Sequence, residues 1–215
     1  MPTASSLTKG REPPHAAFRQ AALDGKCRYA ALMGSAYLPN IEGFFSIFPH
    51  GLGFLTQDEQ VWIAGSLGGA LRADARYQDF WSVNDTRSRD WGYLNEADKA
   101  SFFAAASCVI VPVLIGAGAK QKTADALASN RPVITTSHAI EGYGPLVHDL
   151  LDRGVYVADQ PREFRDLVRR ALREGLPACP DEVRDRVSLS RMTETLAPLY
   201  ARLLHGPDQP TRRND

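Results

Sequence analysis

Short apolar runs alternate with longer amphipathic stretches along most of the chain. The runs are rich in β-branched residues and too short for core helices, so they predict buried parallel strands over residues 29–33, 61–64, 108–113, 133–136 and 155–158. The amphipathic stretches predict helices over residues 41–48, 96–106, 120–129, 145–152, 162–173 and 181–204. This alternation predicts an α/β fold with a doubly wound parallel sheet, in which right-handed crossovers connect the strands.

Two helix boundaries carry recognisable end signals. Asn95 followed by Asp98 predicts an N-cap with an acidic residue at the third helical position. Asn130 before Pro132 predicts a helix end, because asparagine tolerates the left-handed conformation and proline cannot continue a helix.

Length and composition predict one globular unit with extensions. The chain has 215 residues, 44% of them apolar and 23% charged, which suffices for one sizeable core but not for two full domains. We expect a linker or arm over residues 1–26, with a short helix around 16–23, because this stretch is rich in proline, serine and threonine. The folded domain is expected over residues 27–205, and a disordered tail over 206–215.

Charge and cysteine content exclude several classes of partner. The 25 basic and 25 acidic residues cancel, so no nucleic-acid partner is expected. Cys27, Cys108 and Cys179 match neither a disulfide framework nor metal-ligand spacing, which favours a reducing, cytoplasmic location. No apolar run approaches the roughly 20 residues of a membrane span, and residues 1–14 lack the apolar core of a signal peptide. We also expect no metal site.

The loop after the third predicted strand carries the clearest candidate chemistry. Gly116 and Gly118 remove side chains where the strand turns towards a helix, which leaves backbone N–H groups free for a phosphate. Lys120 and Lys122 follow in the predicted first helical turn, where cations oppose the helix dipole unless an anion is bound. The alternative interpretation is that Lys122 pairs with Asp125 on the same helix.

Three other loops follow predicted strands, where ligands bind in doubly wound sheets. Gly34 and Ser35 allow the backbone to approach a ligand, or form an ordinary turn. Ser66 lies in a stretch that partly matches the nucleophile elbow of hydrolases, but the first glycine of that motif is missing. Glu141 is either a hydrogen-bond acceptor for sugar hydroxyls or a solvated residue, and His138 either contacts phosphate or is structural.

A series of motifs in the chain resembles the retaining glycosyltransferases of family 4 and their relatives with the GT-B fold. The resemblance covers about residues 29–204, and its most specific part is the string over residues 116–136. In chain order the motifs are Met33-Gly34-Ser35, Pro39-Asn40-x-Glu42-Gly43, Val61-Trp62-Ile63-Ala64-Gly65, Gly92-Tyr93-Leu94, Ala105-Ala106-Ser107-Cys108-Val109-Ile110-Val111-Pro112, Gly116-x-Gly118-x-Lys120-x-Lys122-x-x-Asp125-Ala126-Leu127-Ala128, Arg131-Pro132-Val133-Ile134-Thr135-Thr136 and Glu141-Gly142.

The resemblance implies the C-terminal, Rossmann-like domain of such an enzyme, which binds the nucleotide-sugar donor. It implies that Lys120 or Lys122 neutralises the charge of the departing diphosphate, which makes these two lysines the candidate catalytic residues. Gly34 and Ser35 would lie near the diphosphate, and Asp125 would bind the ribose hydroxyls. The full set of implied donor-binding residues is Gly34, Ser35, Asn40, Tyr93, Leu94, Gly116, Ala117, Gly118, Asp125, Glu141 and Gly142.

The expected substrate is a UDP-, GDP- or ADP-linked sugar, with no cofactor. Ala117 and Asp125 depart from the glutamates usual in the family, and no acceptor domain precedes Tyr29 in this sequence. The resemblance therefore implies an N-terminal acceptor domain or a separate subunit as partner, inactivity without it, and peripheral membrane association only through it. Two alternatives stay open: a non-catalytic module that pairs with another subunit through an apolar face over residues 196–203, and a nucleotide-sugar epimerase of the same fold.

Overall fold

The computed structural model describes Gln20, residues 27–116 and residues 120–187. The strands are β1 (Arg28–Met33), β2 (Glu59–Ala64), β3 (Ser88–Asp90), β4 (Cys108–Val111), β5 (Val133–Thr135) and β6 (Val155–Val157). The helices are α1 (Leu38–Ile47), α2 (Leu67–Ala73), α3 (Ala75–Gln78), α4 (Trp81–Arg87), α5 (Glu96–Ala104), α6 (Gln121–Leu127), α7 (Ser137–Ile140), α8 (Gly144–Val147), α9 (Pro161–Arg173) and α10 (Asp181–Val187), with a 3-10 helix over His148–Leu150.

The strands form one parallel sheet in the order β3-β2-β1-β4-β5-β6. The chain builds outwards from β1 through β2 to β3, and then crosses to the other side of β1 to add β4, β5 and β6. This order confirms the predicted doubly wound α/β fold. In such sheets a crevice opens beyond the carboxyl ends of the two strands where the strand order reverses, here β1 and β4.

Helices cover both faces of the sheet, so the central strands are buried on both sides. In β2, Val61 and Ile63 belong to a core that contains Phe44 of α1, whereas Trp62 belongs to a second core that contains Phe102 of α5. Strands that are buried on both faces read as continuous apolar runs, which is why the sequence predicts β1, β2 and β4 well.

The sequence does not predict β3 or the three helices between β2 and β3. β3 is an edge strand of three residues, in which only Ser88 is buried and charged residues occupy the other two positions. The helices α2, α3 and α4 contain four to seven residues each. Elements this short carry too few periodic apolar positions to be recognised from the pattern.

The stretch after β5 also differs from its prediction. Residues 137–144, which were expected to form a loop, contain α7, because the Thr136 hydroxyl accepts a hydrogen bond from the Ala139 N–H at 3.1 Å and caps the helix. The helix expected over residues 145–152 is divided into α8 and the 3-10 helix.

Both predicted end signals are confirmed. The Asn95 side chain accepts a hydrogen bond from the Asp98 N–H at 2.9 Å at the start of α5. Asn130 adopts a φ of +55°, in the left-handed region, after α6 ends. Local side-chain chemistry thus determined these two boundaries.

Several predictions fall on residues outside the described ranges. These are the arm over residues 1–26 apart from Gln20, the continuation of the last helix beyond Val187, and the tail over 206–215.

Cys27, Cys108 and Cys179 are free. In the described part of the chain, no helix has both the length and the apolar character needed to cross a bilayer.

Candidate functional site

A cavity of about 120 Å³ opens at the carboxyl edge of the sheet, beyond β1 and β4. Its walls come from the start of α1, the end of β4 with the loop after it, the first turn of α6, and α7. Four of the residues implied by the resemblance line it, namely Asn40, Gly116, Lys120 and Lys122. Sites for small molecules usually measure about 300–1,000 Å³, so this cavity is smaller than a typical one.

Two glycines allow the walls to approach each other. A Cβ atom on Gly43 would lie 1.9 Å from the carbonyl oxygen of Pro112, so α1 packs directly on the backbone that follows β4. Gly116 has a φ of +126°, which L side chains rarely adopt. A Cβ there would lie 3.4 Å from the side chain of Pro39. The glycine of the Pro39–Gly43 motif thus determines how closely α1 approaches β4.

The start of α1 faces the cavity without compensation for its positive end. Helix α1 has ten residues, no acidic residue in its first turn and no side chain that caps its N–H groups.

Helix α6, which was expected to point its positive end at the ligand, has only seven residues. Lys120 is the N-cap of α6, so its predicted place in the first helical turn is wrong; its φ of −88° and ψ of 62° lie outside the helical region.

Lys122 is a half-buried cation in the wall of the cavity. Its ammonium group forms no hydrogen bond and no ion pair within 4 Å with the residues that the structure describes, so the predicted alternative of a direct Lys122–Asp125 ion pair is wrong. Burial lowers the pKa of Lys122, and the charge of Asp125 acts in the opposite direction without cancelling this effect. An unpaired, partly desolvated ammonium group is suited to binding an anion.

Lys120, by contrast, is already engaged. Its ammonium group donates to the main-chain carbonyl of His138 and to Glu141 Oε2, the latter at 2.9 Å. The hydrogen bond from Lys120 lowers the pKa of Glu141, and the charges of Lys120 and His138 act in the same direction. Lys120 therefore joins the start of α6 to the turn after α7.

His138 contacts the glycine loop directly. Its Nε2 lies 3.0 Å from the carbonyl oxygen of Gly116, and its Nδ1 lies 3.6 Å from Glu141 Oε2. The sequence left open whether this histidine contacts phosphate or is structural, and the structure shows a bond to the backbone of the cavity wall.

The residues after β1 approach the cavity unequally. Gly34 is buried, its N–H donates to Ala64 and its carbonyl accepts from Leu67, so its backbone groups serve the protein. Ser35 is exposed and its carbonyl accepts a hydrogen bond of 2.8 Å from the Asn40 side chain. Asn40 is 5% exposed and lines the cavity.

Asp125 lies outside the cavity lining. Its carboxylate is 3.5 Å from the ammonium group of Lys99 on α5, a contact between distant segments that the sequence pattern does not reveal. An approaching ribose would meet a carboxylate that already has a cationic neighbour.

The remaining predicted residues are not part of the cavity lining or lie outside the described ranges. Tyr93 is 84% exposed after β3, and Leu94 is half-buried beside it. Gly142 has a φ of +90° in the turn after α7. Ala117 and Gly118 lie outside the described residues.

Sequence reasoning missed two aromatic or aliphatic residues at the mouth of the cavity. Tyr37 and Ile115 line it and are 56% and 53% exposed. Their position in the loops after β1 and β4 was the signal that could have identified them, because such loops converge at the same edge of the sheet.

The hydrolase hypothesis gains no support. The Ser66 hydroxyl accepts a hydrogen bond from the Ala36 N–H at 2.8 Å, a structural contact between two loops. Within residues 27–116 and 120–187, no three His, Cys, Asp or Glu side chains lie close enough to hold a metal ion.

Comparisons with known proteins place this chain in a family. The family model described as Glycosyl transferases group 1 matches residues 40–174, more than half of the chain. A comparison with curated protein sequences gives no match.

Solved structures agree with the family match at the level of the fold. Sucrose-phosphate synthase from Thermosynechococcus elongatus is 16% identical, with a TM-score of 0.67 over 89% of this chain and 49% of its own. The UDP-forming α,α-trehalose-phosphate synthase from Burkholderia vietnamiensis is 14% identical, with a TM-score of 0.59 over 92% of this chain and 49% of its own. An E. coli structure described as trehalose-6-phosphate bound with UDP-2-fluoro glucose is 12% identical, with a TM-score of 0.53 over 93% and 48%.

The chain thus spans about half the length of these solved structures. The half that it matches has the Rossmann-like, doubly wound sheet of a GT-B glycosyltransferase domain. All residues that line the cavity except Tyr37 and Pro39 lie within the segment that the family model matches. This chain belongs to the family of glycosyl transferases group 1.

Proposed function

We propose that the chain is the donor-binding domain of a glycosyltransferase that transfers a sugar from a nucleoside-diphosphate sugar. The observation that carries this proposal is Lys122, whose half-buried ammonium group has no partner among the described residues and lines a cavity beside Gly116 and the start of α1. The E. coli structure of the same fold carries a UDP-sugar analogue, which supports a donor of this class.

The proposed chemistry places positive charge where the leaving group develops negative charge. Transfer breaks the bond between the sugar's anomeric carbon and the diphosphate oxygen and forms a bond to an acceptor oxygen, which loses its proton. Lys122 would stabilise the departing diphosphate electrostatically, with the positive end of α1 beside it. Lys120 would contribute less, because Glu141 offsets its charge at 2.9 Å. Retention of configuration is part of the proposal, and no resident metal or cofactor is assigned.

The other donor-binding roles stay proposals for the same site. Ser35 and Asn40 would lie along the diphosphate, Tyr93 and Leu94 near the base, and Asp125 near the ribose. Gly34, Ala117, Gly118, Glu141 and Gly142 complete the proposed set, which follows the family resemblance.

We propose that the complete active site includes a second domain or subunit that supplies the acceptor. Two large side chains that line the cavity, Tyr37 and Ile115, are exposed, with exposed fractions of 56% and 53%. The small cavity volume and the half-length match to relatives support the same arrangement. The chain alone is expected to bind the sugar donor but to transfer sugar poorly.

Any peripheral membrane association would come through the second domain or subunit. The three free cysteines support a cytoplasmic location.

Isothermal titration of the full chain with UDP, GDP and ADP tests donor binding. We expect one of the three to bind at or below millimolar concentration. Lys122→Met should weaken that binding about tenfold or more, because a charge-assisted contact to phosphate is lost. Arg169→Gln is the matched control, since it removes one positive charge from α9, outside the cavity lining. Absence of binding by all three nucleotides at millimolar concentration would contradict the proposal.

A second candidate function is a non-catalytic module that pairs with another subunit. The contact between Asp125 and Lys99 favours it, because the residue expected at the ribose is directed to another partner. Light scattering after size exclusion tests self-association. Nucleotide binding without sugar transfer, even when the second domain or subunit is present, would support the non-catalytic function.

A further inference from the structure

A set of hydrogen bonds joins the segment around α7 to the segment between β4 and α6. Thr136 donates to the carbonyl of Val113, before the glycine loop. After the loop, Lys120 donates to the carbonyl of His138, and Thr123 donates to that of Ala139 at 2.7 Å. These bonds hold both flanks of the loop against α7.

The bond from His138 differs because it reaches the loop itself. Its Nε2 is 3.0 Å from the carbonyl oxygen of Gly116, whereas the other bonds reach residues before or after the glycine loop. From this geometry we propose that His138 is a positioning residue for diphosphate binding, which acts by fixing the Gly116 carbonyl; the inference rests on the proposed function.

The hydrogen-bond chemistry assigns the proton. A carbonyl oxygen can only accept, so the hydrogen lies on Nε2 of His138 and the ring donates to Gly116. Nδ1 then faces Glu141, whose carboxylate already accepts from Lys120.

Fixing this carbonyl matters for an anion for two reasons. Gly116 lacks a side chain and has a φ of +126°, so its own conformational preference does little to hold the peptide in one orientation. A free carbonyl oxygen in the cavity wall would also repel a phosphate. When the His138 N–H donates a hydrogen bond to this oxygen, it lowers the entropic cost of ordering the cavity wall. It also lowers the repulsion between this oxygen and a phosphate.

The test compares binding of the preferred nucleoside diphosphate, from UDP, GDP and ADP, to the full-length chain and three variants. His138→Ala should raise the dissociation constant about 3- to 10-fold, the range expected for one lost hydrogen bond. His138→Gln should recover most of this loss, because its amide can donate in place of Nε2. His148→Ala is the control, since it removes an exposed imidazole from the 3-10 helix outside this cavity.

Urea unfolding of each variant accompanies the titrations, and the comparison uses variants that remain folded at the temperature of the binding experiment. Unchanged affinity in His138→Ala, or a His138→Gln variant as weak as His138→Ala, would overturn the positioning role while leaving the proposed function intact. If the wild-type chain binds none of the three diphosphates, both proposals are wrong.

Discussion

Lys122 is the residue on which the account of this site depends most. A half-buried ammonium group without a carboxylate partner costs stability, and burial lowers its pKa below the usual value of 10.5. Lys99 shows the usual arrangement in the same fold, with carboxylates of Glu96 and Asp125 at 3.2 and 3.5 Å. The unpaired lysine is explained if its partner is the diphosphate of a ligand.

The first prediction is that Lys122→Met stabilises the folded chain while it weakens nucleotide binding. Methionine keeps the aliphatic contacts and removes the desolvation cost, so we expect the free energy of unfolding to rise by roughly 0.5–1 kcal/mol at neutral pH. The folded-state pKa of Lys122 lies below the unfolded value, so the cost is present at neutral pH and fades as pH rises through the folded-state pKa. The gain should therefore shrink in alkaline solution.

Urea unfolding at several pH values measures this effect. Lys99→Met is the control of opposite sign, because its two carboxylates raise the pKa of Lys99 against the effect of burial. A Lys122→Met variant that is destabilised as much as Lys99→Met would contradict the interpretation of Lys122 as an unpaired ligand-binding cation.

At the residue scale, the sequence predicted the site in part. Lys122 and Gly116 were found because they follow a strand, which is a local signal. The contacts of Lys120 and Asp125 were not found, because Glu141 and Lys99 lie 21 and 26 positions away along the chain. Such pairs depend on the tertiary fold rather than on spacing within one element.

At the scale of elements, the contact between α1 and the chain after β4 determines the shape of the cavity. Gly43 lies inside a helix, where glycine is normally unfavourable, and its place is explained by the Pro112 carbonyl that a Cβ would meet at 1.9 Å. A backbone atom cannot move aside as a flexible side chain can.

We therefore predict that Gly43→Ala destabilises the chain by about 1–3 kcal/mol, the usual cost of overpacking a core contact. It should also weaken nucleotide binding, because α1 moves away from the cavity. Gly69→Ala in α2 is the matched control, since a Cβ there meets nothing within 4 Å and alanine should stabilise by about 0.5–1 kcal/mol. Equal effects of both substitutions on thermal unfolding would refute the packing argument.

The sequence predicted the elements according to their burial. β1, β2 and β4 were found because helices cover both of their faces, whereas β3 was missed because two of its three residues are charged. The start of α1 was placed three residues late, because Pro39 and Asn40 are poor helix formers, although proline is accepted in the first helical turn. The missed start matters, since it places the positive end of α1 at the cavity.

At the scale of the whole molecule, the proposed donor site lies at one edge of the sheet. The cavity and the exposed side chains of Tyr37 and Ile115 that line it lie at the carboxyl edge of the sheet, and the chain matches about half the length of the solved structures. A larger groove of about 430 Å³ lies beside β6 and the 3-10 helix, but its lining offers no lysine or arginine to a phosphate. Charge thus favours the smaller cavity as the diphosphate site.

A crystal structure of the chain with the nucleoside diphosphate that binds most tightly tests this assignment most directly. The account predicts phosphate oxygens within hydrogen-bond distance of Lys122 Nζ, next to Asn40 and Gly116. A diphosphate bound in the groove beside β6, or one that contacts neither Lys122 nor Gly116, would contradict it.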